Sequence, residues 1–186
     1  VEPAKEIPVY GQFDVIVVGG GTAGWSAAVA AARNGVTTLV IERFPFFGGT
    51  ATAAIMPQIN GFRNEREPDG LQTTRGIGEE VILRLKELGG LGITTHNKQK
   101  VYPTAPGQLS FSYGVDTEKL KYAMLKMVTE AGAEVLFHTY FCDVIREGRR
   151  VVGVIWENKS GRQAAYAKVI IDASGDGDVA IRAGAA

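Results

Sequence analysis

Apolar positions along this chain fall into two patterns. Short unbroken runs, largely β-branched, occupy residues 15–18, 36–41 and 169–171, as strands buried on both faces should. Stripes at helical spacing occupy Val81, Ile82, Leu85 and Leu88, then Leu120, Ala123, Met124, Met127 and Val128. Gly89-Gly90 ends the first stripe, and Gly132 ends the second. Asp116 stands where the second helix needs an N-cap, with Lys119 at its third helical position. Small, helix-compatible residues fill the stretch between Gly24 and Asn34-Gly35, which supplies a stop.

Toward the end of the chain the pattern turns to strands. Residues 134–141 read as one strand, on which His138 and Cys142, four residues apart, would face the same side. Residues 143–156 read as an antiparallel pair turning at 147–150. A second hairpin turns at 158–162, and a strand over 164–172 follows.

The remaining stretches lack a period. Residues 1–12 carry two prolines and read as an N-terminal arm packed on the surface or on a partner; one domain, residues 13–186, follows. Residues 55–75 read as loop, with the mixed charges of Arg63 to Glu67 as a solvated turn. Residues 91–114 are irregular and rich in Thr, Pro, Gly and aromatics. An insertion at about 55–115 is therefore expected, contributing to a substrate or cap region.

Composition narrows the function classes. Lys plus Arg (20) equals Asp plus Glu (20), so no overall field draws in nucleic acid or an anionic membrane. No apolar run reaches the roughly 20 residues that span a bilayer, and no signal peptide stands out. The single cysteine excludes an internal disulfide and a Cys-x-x-Cys motif, and with only two histidines no metal site is expected. A cytoplasmic location is the expectation. The start at Val1 and the finish at Gly184-Ala-Ala186 suggest a piece of a longer polypeptide or one part of an assembly.

The chemistry concentrates in Gly19-Gly-Gly21-Thr-Ala-Gly24, which joins the first apolar run to the small-residue helix. Gly19 permits the turn out of the strand, Gly21 leaves room for a pyrophosphate, and Gly24 lets helix and sheet approach. The helix N-terminus then offers free N–H groups and a positive dipole end to phosphates. The second run ends on Glu42, placed to accept ribose hydroxyls and to repel a 2′-phosphate, which argues against NADP. This arrangement is a βαβ dinucleotide site, and by itself it does not choose between FAD and NAD.

Two further segments extend the site. Phe47-Gly48-Gly49-Thr50-Ala51-Thr52 follows Glu42 closely, and its glycines and small residues allow backbone approach to a ligand. Asp172-Ala-Ser-Gly175-Asp176-Gly-Asp178 follows a strand and sets amides and carboxylates at the carboxyl edge of the sheet. The structural alternative is an Asx-rich turn capping a helix over 179–182, and a second cofactor contact is the expectation.

In this order, the segments resemble FAD-dependent oxidoreductases with a glutathione-reductase-type core, closest to the family related to the flavin subunit of heterodisulfide reductase. The resemblance rests on residues 14–43, 48–52, 116–132 and 168–180, and the last of these tips the choice to FAD. The family often carries Thr where this chain has Ser174, which retains the hydroxyl. The implied fold is α/β: a Rossmann-like FAD-binding fold with a central parallel sheet, helices on both faces and an additional small antiparallel β-sheet. The resemblance implies that Gly19, Gly21, Thr22, Ala23 and Gly24 line the FAD pyrophosphate. It implies that Glu42 holds the adenosine ribose with Arg43 alongside, and that the strand around Phe141 offers backbone groups to adenine. Gly49, Thr50, Ala51 and Thr52 would approach the pyrophosphate or the flavin end, with Gly175 and Asp176 near the phosphate–ribityl region. Family members are longer, so a partner chain or a C-terminal segment would complete the flavin site.

The expected function is hydride or electron transfer through the isoalloxazine to or from a small-molecule substrate. No catalytic acid or base stands out; His96 and Tyr102 lie in the irregular segment, where surface or packing roles are commoner. The Gly-Gly-Gly-Thr-Ala-Gly-Trp25 opening also resembles flavin-dependent halogenases, although no Trp-x-Trp-x-Ile-Pro segment occurs. A non-catalytic cofactor-binding subunit that needs a partner chain is the reading from outside enzymology.

Overall fold

The computed structural model describes residues 6–62, 72–92 and 112–185. In chain order the first elements are β1 (Val9–Val18), α1 (Thr22–Arg33), β2 (Thr38–Ile41), β3 (Gln58–Asn60) and α2 (Ile77–Glu87). Then come β4 (Leu91–Gly92), β5 (Ser112–Val115), α3 (Thr117–Glu130) and β6 (Glu134–Leu136). The chain closes with β7 (Tyr140–Glu147), β8 (Arg150–Asn158), β9 (Gly161–Asp172) and α4 (Asp178–Ala183). Two compact units result: Val1–Phe47 with Val128–Ala186, and Gly48–Met127.

The first unit is a six-stranded sheet in the order β6-β2-β1-β9-β8-β7. β6, β2, β1 and β9 run parallel, with Val17 opposite both Val40 and Ile171. β8 and β7 continue the sheet antiparallel through two hairpins. Ile16 and Val18 share one apolar cluster with Leu39, Ile41, Val154, Trp156 and Val179, so the antiparallel wing packs on the same face as the parallel core. Val17 and Val40 alternate to the other face and are fully buried too. Burial on both faces is why these strands read as unbroken apolar runs.

Asp14 fastens the start of this core. Its carboxylate accepts from Thr37 N (2.9 Å) and Thr37 Oγ1 (2.8 Å), and pairs with Lys168 Nζ at 2.6 Å. It thereby ties β1 to the lead into β2 and to β9 itself.

The second unit holds a small antiparallel sheet, in the order β3-β5-β4. α2 buries Val81, Ile82 and Leu85, as its periodicity requires, while Leu88 stays partly exposed. Asp116 caps α3 as expected: its Oδ1 accepts from Glu118 N (3.0 Å) and Lys119 N (3.1 Å).

Several expectations change. β1 starts at Val9, inside the segment read as an arm, because Pro8 O accepts from Ala164 N and Val9 pairs with Ala164. Short strands lie at 58–60, 91–92 and 112–115, where loop was expected; pairing within their own small sheet outweighs the missing period. The strand expected over 134–141 breaks at Phe137–Thr139, where His138 takes φ 52°. His138 and Cys142 thus do not share a strand, and Cys142 falls at an irregularity between Phe141 and Asp143. Arg63 to Glu67, His96 and Tyr102 lie outside the described residues.

Candidate functional site

The site begins where β1 runs out. Gly19 turns the chain at φ 96°, and a Cβ there would stand 2.3 Å from Ala173 O, so the strand end presses against the β9–α4 connection. A Cβ on Gly24 would meet Gly19 O at 1.8 Å, which is the close helix–strand approach expected of the third glycine. Gly21 differs: a Cβ there would meet nothing within 4 Å. The space beside it belongs to no protein atom, as a pyrophosphate cradle at the N-terminus of a twelve-residue helix requires. Thr22 and Ala23 begin that helix.

Glu42 reaches back to this turn. Only 6% exposed, it accepts Gly20 N at Oε2 (2.5 Å) and Phe44 N at Oε1 (2.7 Å). The backbone around it closes as well: Gly19 N donates to Ile41 O (2.9 Å), and Thr139 N donates to Glu42 O (3.0 Å). That last bond explains the break after β6, since the chain must leave β6 to bring Thr139 to the tip of β2. The buried Phe47 ring also crowds Gly20: a Cβ there would stand 2.5 Å from the ring and 3.0 Å from Glu42 Oε2. Phe47 packs edge-on against Phe137, with ring centroids 4.9 Å apart. Arg43 stays exposed, its guanidinium 4.9 Å over the Phe44 ring.

Around Glu42 lies a cavity of about 90 Å³. It brings together four of the expected residues, Gly19, Glu42, Arg43 and Phe141. Thr139, Tyr140, Ser174 and Asp178 also line it, none of which was assigned a cofactor contact from the sequence. Ser174 and Asp178 belong to the closing motif; Thr139 and Tyr140 had no signal beyond their nearness to Phe141.

The closing motif is organised by Asp172. Its Oδ1 accepts Ser174 N (3.1 Å) and Ser174 Oγ (2.7 Å), and its Oδ2 accepts Ala180 N (2.9 Å). Ser174 Oγ in turn accepts Asp178 N at 2.9 Å. Burial pushes the Asp172 carboxyl up, but bonds from Ser174, Ala180 and Val179 outweigh it and hold the group below the usual carboxylate range. This carboxylate therefore shapes the turn that caps α4, the structural alternative weighed from the sequence. Gly175 and Asp176 stand exposed on that turn and outside the cavity wall.

Gly49, Thr50 and Ala51 form a short 3-10 turn in the second unit, with Thr52 buried behind it. Cys142 is partly buried, and burial pushes its thiol up, away from a reactive thiolate. Among the described residues no cluster of three metal-ligating side chains occurs, and no helix is long and apolar enough to cross a membrane.

Comparison with known proteins agrees with this geometry. The family model described as FAD dependent oxidoreductase matches residues 14–186. A digeranylgeranylglycerophospholipid reductase of Picrophilus torridus is 27% identical over 170 residues, covering 88% of this chain and 39% of the relative. A probable electron transfer flavoprotein-quinone oxidoreductase of Escherichia coli is 32% identical over 174 residues, covering 88% of this chain and 37% of the relative. Among solved structures, a geranylgeranyl bacteriochlorophyll reductase-like protein from Thermoplasma acidophilum superposes with TM-score 0.59. It is 21% identical and covers 93% of this chain and 42% of that one. A flavin-dependent brominase superposes with TM-score 0.64 at 20% identity, covering 94% of this chain and 41% of that one. At such identities the structural likeness is one of fold. The chain spans about two fifths of the length of the curated relatives named here. It belongs to the FAD dependent oxidoreductase family, and its cofactor is FAD.

Proposed function

We propose that this chain is the FAD-holding portion of a flavin-dependent oxidoreductase acting on a small molecule. The observation that carries the reading is the open space at Gly21, set at the head of α1 and next to the Glu42 crevice. FAD supplies hydride or electron transfer at its flavin ring, and the protein supplies position and polarity. In this reading the N–H groups of Thr22 and Ala23 and the dipole end of α1 bind the pyrophosphate. Glu42 has lone pairs left after its two amide bonds, and these accept from the adenosine ribose with Arg43 beside them. Backbone groups near Phe141 meet adenine, and Gly175 and Asp176 lie toward the ribityl–phosphate end. Gly49, Thr50, Ala51 and Thr52 enter this proposal on the sequence resemblance alone. A further segment or a partner chain completing the flavin pocket is part of the proposal, supported by the greater length of the relatives. A cytoplasmic location is also part of it, supported by the single cysteine and the balanced charge.

The test is a visible absorption spectrum of the purified protein beside an intact-mass analysis of whatever co-purifies. Flavin bands near roughly 370 and 450 nm are expected, and a co-purifying polypeptide would identify a split enzyme. Protein that stays colourless after incubation with FAD would overturn the reading.

A further inference from the structure

Two aromatic residues line the Glu42 cavity, Tyr140 and Phe141, and they are differently engaged. Phe141 packs against the core cluster around Trp156, so its ring serves the sheet interior. Tyr140, one residue earlier on β7, points the other way and is 60% exposed. Among the described residues its ring stacks on no other ring. The other planar side chain of the wall, Arg43, already lies over the Phe44 ring at 4.9 Å. Tyr140 therefore holds an open aromatic face at the cavity, and covering that face with a flat molecule would release its water.

A tyrosine suits a strand by propensity alone; what singles this one out is the backbone that carries it. The chain reaches it through His138, whose φ of 52° lies in a region that histidine enters more readily than most residues. Thr139 follows, 1% exposed and pinned three ways. Its N–H donates to Glu42 O (3.0 Å), while its Oγ1 donates to Phe137 O (2.9 Å) and accepts from Asn158 Nδ2 (3.3 Å). Pairing with β8 begins at Tyr140 itself, opposite Glu157. The ring thus stands on backbone fixed in advance, and such a group loses little freedom on contact. The bond from Thr139 to Glu42 also joins this platform to the acid placed for the ribose. The flat group attached to that ribose is its base.

We propose that the Tyr140 ring is the stacking face for the adenine of FAD and sets how tightly the adenosine half of the cofactor is held. This role rests on the dinucleotide reading of the Glu42 crevice. Equilibrium dialysis of the full-chain protein against FAD and, separately, against ADP tests it, with the melting temperature of the ligand-free protein read on each variant. Tyr140→Leu keeps apolar bulk without a planar face. It should weaken FAD and ADP alike by about tenfold, the usual scale of one lost base–aromatic stack. Tyr140→Phe keeps the face and should bind both within about twofold of the parent. The ligand-free melting temperature should hold in both variants, because an exposed ring contributes little to the fold. Equal affinity in the two variants overturns the proposal and leaves the crevice reading intact. A loss for FAD without one for ADP also overturns it, because Tyr140 would then act at the flavin end. So does weaker binding in Tyr140→Leu that merely follows a lower melting temperature. A parent that binds neither FAD nor ADP sinks the proposal and the dinucleotide reading together.

Discussion

Glu42 and Gly20 stand 22 residues apart in the chain, yet the Glu42 carboxylate accepts the Gly20 amide at 2.5 Å. The acid at the tip of β2 therefore does two things. It presents charge to the cavity, and it fixes the backbone of the glycine turn that β1 feeds.

Glu42→Ala should consequently cost more than ligand affinity. It leaves the N–H groups of Gly20 and Phe44 without their acceptor in a nearly closed setting, at about 1–3 kcal/mol for a buried unsatisfied donor. Urea denaturation should show that loss, and flavin content should fall with it. A variant as stable as the parent would show that the two bonds contribute nothing.

Gly21 and Gly24 should separate binding from folding. Gly21→Val places its side chain in space empty of protein, at an N-cap with extended backbone (φ −65°, ψ −170°). Its stability should stay within about 1 kcal/mol of the parent while flavin retention is lost. Gly24→Ala drives its Cβ to 1.8 Å from Gly19 O, so the protein should unfold or fail to accumulate. Circular dichroism and absorbance at the flavin band report both, and normal flavin content in Gly21→Val would remove the pyrophosphate assignment.

Asp14 should give the fold an acid-sensitive fastening. The Lys168 ammonium, then the Thr37 amide and hydroxyl, hold its carboxyl down at about 2, below an ordinary value of 3.8. A folded-state value below the unfolded one means stability present above the unfolded value and lost as pH falls from about 4 toward 2. Asp14→Asn should flatten the stability profile in that window. The pair lies at the surface, with Lys168 72% exposed, so added salt should shrink the difference. Identical acid profiles for parent and variant would rule this out.

Asp116→Ala removes the acceptor for two amides at the start of α3 and should destabilise by about 1 kcal/mol, with Asp116→Asn nearly neutral. Thermal denaturation checks the order; equal losses in both would point to the Lys119 contact instead.

The sequence by itself determined the elements whose causes are local. Val15 to Val18, the glycine spacing at 19, 21 and 24, and the stop at Asn34-Gly35 place β1, the turn and α1, because helix period, strand burial and turn geometry act over a few residues. The Asp116 cap and the α2 and α3 stripes were legible for the same reason, and so was the acid at position 42. Only the tertiary structure decided where that acid points. The sequence puts Glu42 at a strand tip; the packing of Phe47 and the approach of Gly20 turn its carboxylate inward. The break at Phe137–Thr139 follows from Thr139 bonding to Glu42 O, a partnership between residues nearly a hundred positions apart that no local pattern records. The closing motif divided in the same way: its composition showed a turn at the sheet edge, and only the fold showed that Asp172 is spent on Ser174 and Ala180. Local period fixes which elements form, while register and hydrogen-bond partners across long separations are fixed only when those elements pack.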